Sequence, residues 1–138
     1  MQDKPSVIYI DKDDWDLYEK LQEDILNFNK RDRKEQFLFA LSVGFKFGSK
    51  LKLDRKKEFF RSSYLLPKDE SLLRAVALFE TKDVLILKNW AKIFEIAEMY
   101  AHRGIKLLSE KVKLTPYGTF EKEIEEDIME TLKSINKD

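Results

Sequence analysis

The chain has 138 residues, 43% hydrophobic and 12% aromatic, which is enough apolar mass for a packed core and too much for a disordered chain. Lys plus Arg and Asp plus Glu number 26 each, for a net charge of zero. That balance disfavours both a globally basic nucleic-acid binder and an acidic tail protein. Cys is absent and His occurs once, so disulfides, thiolate zinc sites, thiol catalysis and a multi-histidine metal centre within one chain are excluded.

The length predicts one domain over residues 1–138. The N-terminus has no basic flank ahead of a long apolar run, so no signal peptide is expected. No apolar stretch approaches the roughly 18 residues of a membrane span, and a cytoplasmic protein is expected. Charged residues reach 38% while Asn and Gln are scarce, the composition of many heat-adapted proteins.

Residues 7–10, Val-Ile-Tyr-Ile after Pro5, read as a short strand. Asp11 and Asp14 then signal a helix start, since Asp11 can accept from free backbone N–H groups. Trp15, Tyr18, Leu21, Ile25 and Phe28 recur at spacings of three and four, predicting a helix over 12–28. A second helix is predicted over 32–47. Phe37, Leu38, Phe39, Ala40, Leu41, Val43 and Phe45 cover most of its circumference, so it should be the most buried. Gly48 ends it.

Residues 49–66 are less regular, with Phe59, Phe60, Tyr64, Leu65 and Leu66 as apolar anchors in a basic stretch. Pro67 opens a third helix, with Leu72, Leu73, Val76 and Phe79 as its inner face and Glu70–Arg74 as an i,i+4 pair. Asp83 breaks the pattern, and 84–87 form a short helical turn or strand. Asn89 caps a fourth helix, with Trp90, Ile93, Phe94, Ala97, Tyr100 and Ala101 inward. Gly104 is either the end of that helix or a weak point in it. After a turn at 115–118, Thr119 caps a last helix bearing the narrow stripe Phe120, Ile124, Ile128, Leu132 and Ile135. Such a stripe suits packing on the body, a homo-oligomer or a partner helix. The expected fold is mainly α: a compact bundle of about five helices with at most a short β element near the N-terminus.

The zero net charge hides an asymmetry. Residues 30–61 carry eleven basic and four acidic residues, a surplus of seven, while 1–29 and 117–138 are acidic. The cations that would meet phosphates are Arg31, Arg33, Lys34, Lys46, Lys50, Lys52, Arg55, Lys56, Lys57 and Arg61, interleaved with phenylalanines. The alternative is that the same charges pair with the acidic first and last helices.

Familiar site motifs fail. Residues 44–50, Gly-Phe-Lys-Phe-Gly-Ser-Lys, have the wrong glycine spacing for a phosphate loop and sit at a helix end. Residues 11–16 put Trp15 on a calcium-ligand position and lack the turn Gly. Glu95, Glu98 and His102 share a helix face, but a di-metal carboxylate bundle needs two Glu-x-x-His pairs. His102 is expected at the surface or partly buried near a helix C-terminus. No Ser has a nearby base. These residues predict no enzyme, no metal, no cofactor and no cleft with converging titratable groups.

Three segments carry a resemblance: 40–45 with Gly48 following, 72–78 leading to 80–84, and 93–101 leading to Gly104-Ile105. On these, residues 37–108 resemble the Dnd-system-associated proteins, accessory proteins found with DNA phosphorothioation loci. The resemblance covers about half the chain and implies a role beside a DNA modification or defence system, with a larger protein of that system as partner. It implies no catalytic residues. The order strand, helix, loop, helix also matches the topology of a ribbon-helix-helix half, but strand 7–10 offers no side chain to read a base edge. The function expected is a non-catalytic accessory protein that contacts nucleic acid non-specifically through 30–61. The alternative is a protein-interaction or scaffold subunit that binds none.

Overall fold

A computed structural model describes residues 4–24 and 32–114. Among them the elements run β1 (Val7–Asp11), α1 (Asp14–Asp24), α2 (Arg33–Phe47), β2 (Lys56–Arg61), α3 (Pro67–Thr81) and α4 (Trp90–Leu114). Short 3-10 turns at Ser62–Tyr64 and Val84–Lys88 flank α3. The fold is mainly α, with four helices among the described residues rather than about five. The fifth expected helix, and the association stripe on it, lie outside the described residues.

The strand at the N-terminus has a partner that periodicity did not reveal. β1 pairs antiparallel with β2 of the same chain, Val7 opposite Arg61 and Asp11 opposite Lys56. This is not the pairing of two chains that a ribbon-helix-helix dimer would make. The register slips between Ile8 and Tyr9, so Ile8 faces Phe60 and Tyr9 faces Glu58. Phe59 is the extra residue of a bulge, and both Phe59 and Phe60 are buried. In a regular strand neighbours point to opposite faces, and the bulge turns both rings inward. That adjacent pair is why 56–61 does not alternate and escapes recognition as a strand.

The centre of the fold is the crossing of α2 and α4. A Cβ at Gly44 would lie 1.9 Å from the Tyr100 carbonyl oxygen, and one at Gly104 would lie 1.7 Å from that of Ala40. The two backbones are therefore in contact, with no room for any side chain between them. Gly104 neither ends nor weakens its helix: it sits inside α4, at the closest point of the crossing. Burial is shared between the two helices, through Phe37, Ala40 and Leu41 on α2 and Ile93, Ala97, Ile105 and Leu108 on α4.

Asp32 caps α2, accepting from the Glu35 N–H at 2.8 Å, and Asn89 caps α4 through the Lys92 N–H at 3.1 Å. α3 begins at Pro67, and the Asp69 carboxylate accepts from the Leu66 N–H at 2.9 Å. Two expectations for α3 are corrected. Phe79 is 60% exposed, touching only the edge of the core through the Phe45 ring at 5.2 Å. Glu70 pairs with Lys4, and Arg74 lies over Trp90, so the Glu70–Arg74 pair does not form.

Candidate functional site

A groove of about 770 Å³ opens where the edge of β2 meets the start of α2. Arg33 and Lys34 line one wall, Glu58 and Arg61 the other, and Tyr64 stands at the mouth. The expectation that no cleft gathers titratable groups is thereby corrected. Arg33 is held rather than free. Its guanidinium lies over the Trp15 ring at 4.5 Å and donates to the Phe59 carbonyl at 3.2 Å. Lys57 covers the same indole at 4.2 Å. Both cations thus keep their charge at the surface while burying their stems on an aromatic. Arg61 and Lys52 are exposed and form no ion pair with a described residue.

The remaining predicted cations are scattered or engaged. Lys34 forms a buried pair with Asp69 at 2.9 Å. Lys50 pairs with Glu80 at 2.7 Å, and with Tyr100 this holds the Glu80 carboxyl below its usual range. Arg55 pairs with Asp13 at 2.9 Å. Lys56 lies over the Tyr9 ring, and Lys46 is exposed at the far end of α2, over Phe47. Arg33 and Lys46 are separated by most of that helix, about 20 Å. Arg31 lies outside the described residues. The basic block is therefore not one patch: Arg33 and Arg61 line the groove and Lys57 shares the Trp15 ring with Arg33, while Lys46 and Lys50 sit elsewhere.

A second cluster is buried between the N-terminal segment and α4. His102 is 6% exposed and stands in the middle of α4, buried rather than at the surface or partly buried near the helix C-terminus. Its Nδ1 lies within hydrogen-bond distance of the Asp14 carboxylate at 2.5 Å, and its Nε2 faces Asp11 at 3.9 Å. Asp14 is fully buried, and burial pushes its pKa up even against the pull of His102 and of Lys106, whose Nζ lies 3.6 Å away. Asp11 is also buried, which raises its pKa. The backbone N–H groups of Asp13, Asp54 and Arg55 donate to it and outweigh that effect, so its carboxyl sits below the ordinary value. One turn earlier, Glu98 accepts from the Tyr9 N–H at 2.9 Å, and burial pushes its pKa up to about 7. Glu95 does not join it; it is exposed and pairs with Lys92.

This cluster pins β1 and α1 to α4. Both imidazole nitrogens face carboxylates, and His102 lines neither the groove nor the neighbouring cavity of about 510 Å³ beside Trp15. A general base has to reach a substrate proton, and this ring is turned inward. Among the described residues no group of three or more His, Cys, Asp or Glu is arranged to hold a metal ion. None of their helices is long and apolar enough to cross a membrane.

The family model of DNA sulphur modification system-associated protein 4 matches residues 8–136. The chain belongs to this family. No curated protein and no solved structure matches it. The match to this DNA sulphur modification-associated family runs well beyond 37–108, where the sequence resemblance lay. It takes in most of β1, the Asp11–Asp14–His102 pin and the groove residues from Asp32 to Tyr64. Sequence reasoning missed Tyr64 of the groove and Trp15 of the neighbouring cavity in this family member. Trp15 reads as helix core from its spacing, and Tyr64 reads as an apolar anchor. The only signal that could have singled out Tyr64 was its place three residues after Arg61.

Proposed function

We propose that this protein is a non-catalytic accessory component of a DNA sulphur modification system that holds nucleic acid by its phosphates. The observation that carries this reading is the convergence of Arg33 and Arg61 on one groove, with Lys57 on the Trp15 ring that Arg33 also covers, in a chain whose family is associated with DNA sulphur modification. Arg61 is unpaired with any described residue, and Arg33 and Lys57 rest on Trp15 with their charge unspent. Phosphate contacts of this kind hold a strand without reading its sequence. The inward-facing His102 supports a structural role for the one imidazole.

A gel shift at about 50 mM salt tests the reading, because phosphate contacts are strong there. Duplex and single-stranded DNA and RNA should be tried. Retention should be independent of sequence and fall steeply as salt rises. Replacing Lys52, Lys56, Lys57 and Arg61 by Glu should abolish it with the circular-dichroism spectrum unchanged. Lys50 is left alone because it pairs with Glu80. Failure to retain any nucleic acid refutes the proposal.

The scaffold alternative is favoured by a different observation. Phe79, Val84 and Leu85 are 60%, 68% and 66% exposed, an apolar surface around the end of α3. Under this reading they meet a larger protein of the same system or a second copy of the chain. Val84→Asp with Leu85→Asp should then disrupt co-purification or self-association and leave nucleic-acid retention unaffected.

A further inference from the structure

We infer that Tyr64 is a stacking platform for one unpaired base, so that the groove takes single-stranded rather than duplex nucleic acid. The inference rests on the proposal that this face meets nucleic acid, and adds the form of the strand and the residue that selects it.

Tyr64 is 63% exposed, and its ring makes no ring contact, cation contact or hydrogen bond. The other tyrosines of the described residues behave differently. Tyr18 packs on Phe59, Tyr100 bonds Glu80, and Tyr9 lies under Lys56. An aromatic side chain normally finds cover for its faces. Tyr64 is largely exposed and lines a cavity whose volume lies in the range of ligand sites.

The backbone that presents the ring is fixed. Tyr64 ends the 3-10 turn Ser62–Tyr64. The Ser62 N–H donates to the Ser6 carbonyl at 2.9 Å, its hydroxyl to the Pro5 carbonyl at 2.6 Å, and the Leu65 N–H closes the turn on the Ser62 carbonyl at 3.0 Å. Arg61, the extended residue just before this turn, and Tyr64 at its end line the same groove. An exposed guanidinium beside an exposed aromatic is the pairing that holds a phosphate and its base on single strands. In a duplex the bases are stacked on each other and their faces are closed to a side chain, so stacking on Tyr64 requires an unpaired base. Glu58 on the β2 wall and Asp32 at the start of α2 disfavour phosphates beside them, leaving the Arg61 and Arg33 guanidinium groups as the phosphate contacts.

The test is fluorescence polarisation of a labelled thymidine oligonucleotide of about 12 nucleotides, within the site size of one such groove, against a duplex of the same length. Tyr64→Ala should weaken single-strand binding roughly 5- to 150-fold, the range for loss of one stacked base. Tyr64→Phe keeps the π-face and should stay within about twofold of the parent. Duplex binding should not respond to either change, whereas Arg61→Glu should weaken both. Unchanged single-strand affinity in Tyr64→Ala, with Arg61→Glu still impaired, overturns the stacking inference and spares the nucleic-acid proposal. Equal losses on both probes in Tyr64→Ala also overturn it. If the parent protein binds neither probe, the underlying proposal fails and the inference fails with it.

Discussion

Adding a single methyl group at Gly104 should destabilise this protein, although the same change in an ordinary helix interior stabilises it. Ala is favoured over Gly inside a helix by about 1 kcal/mol. At Gly104 the new Cβ would stand 1.7 Å from the Ala40 carbonyl oxygen and 2.8 Å from the Gly44 nitrogen. Both are backbone atoms and cannot rotate away. Relief requires α2 and α4 to move apart by more than an ångström along a seam that holds much of the core. A radial gap of about 0.5–1 Å already forfeits a quarter to a half of a contact's attraction. Overpacking a well-filled core costs about 1–3 kcal/mol, occasionally more. With two immovable neighbours the upper end applies, and the net loss after the helix-propensity gain is about 2 kcal/mol or more. Gly44→Ala should behave alike, since its Cβ would lie 1.9 Å from the Tyr100 oxygen. The double variant should lose less than the sum, because the first methyl has already parted the helices. Gly48→Ala is the control: its Cβ meets the Arg103 side chain at 2.7 Å, which can swing aside. Urea midpoints at constant m-value measure all four variants. A Gly104→Ala protein as stable as its parent would refute the backbone contact at this crossing.

Three further outcomes follow from the same geometry. Burial raises the Glu98 carboxyl from 4.5 to about 7, so its contribution to stability is fully present below the unfolded value and is lost as pH rises through about 7. At about 1.4 kcal/mol per pH unit the charged form costs roughly 3 kcal/mol. Glu98→Gln, which still accepts from Tyr9, should therefore match the parent near pH 4 and exceed it above pH 8, as read by chemical denaturation; a parallel pH profile would contradict this. Lys34→Ala should cost about 3 kcal/mol, because it strands Asp69 in a buried site. A loss below about 1 kcal/mol in the same assay would mark the pair as an exposed one. Glu58→Gln should tighten nucleic-acid binding at low salt and steepen its salt dependence, since it removes from the groove walls a carboxylate that forms no ion pair with a described residue; weaker binding in a salt titration would count against the groove as the site.

The primary sequence by itself determined the parts of this protein that depend on neighbours a few residues apart. Helical periodicity placed α2, α3 and α4, Asp32, Asn89 and Pro67 marked their starts, and Val-Ile-Tyr-Ile marked β1. The family likeness was legible for the same reason, in helix cores and caps. The excess of cations in 30–61 was legible as composition, but its layout was not. Whether Lys34 faces Asp69 or a phosphate depends on a residue 35 positions away, and whether Lys50 is engaged depends on Glu80. The β2 strand was hidden because its bulge breaks the two-residue alternation, and a bulge exists only where a partner strand imposes a register. Gly104 read as a stop or a weak point because glycine is a poor helix former on its own. Its real constraint is the carbonyl of Ala40, brought there by the crossing of α2 and α4. His102 read as a surface or partly buried residue near a helix end because nothing local to α4 partners it. Only folding carries Asp14, 88 positions earlier, to within 2.5 Å of its ring. Local propensity acts through the chain's own neighbours, whereas burial, ion pairing and the groove arise between segments that meet only when the core closes.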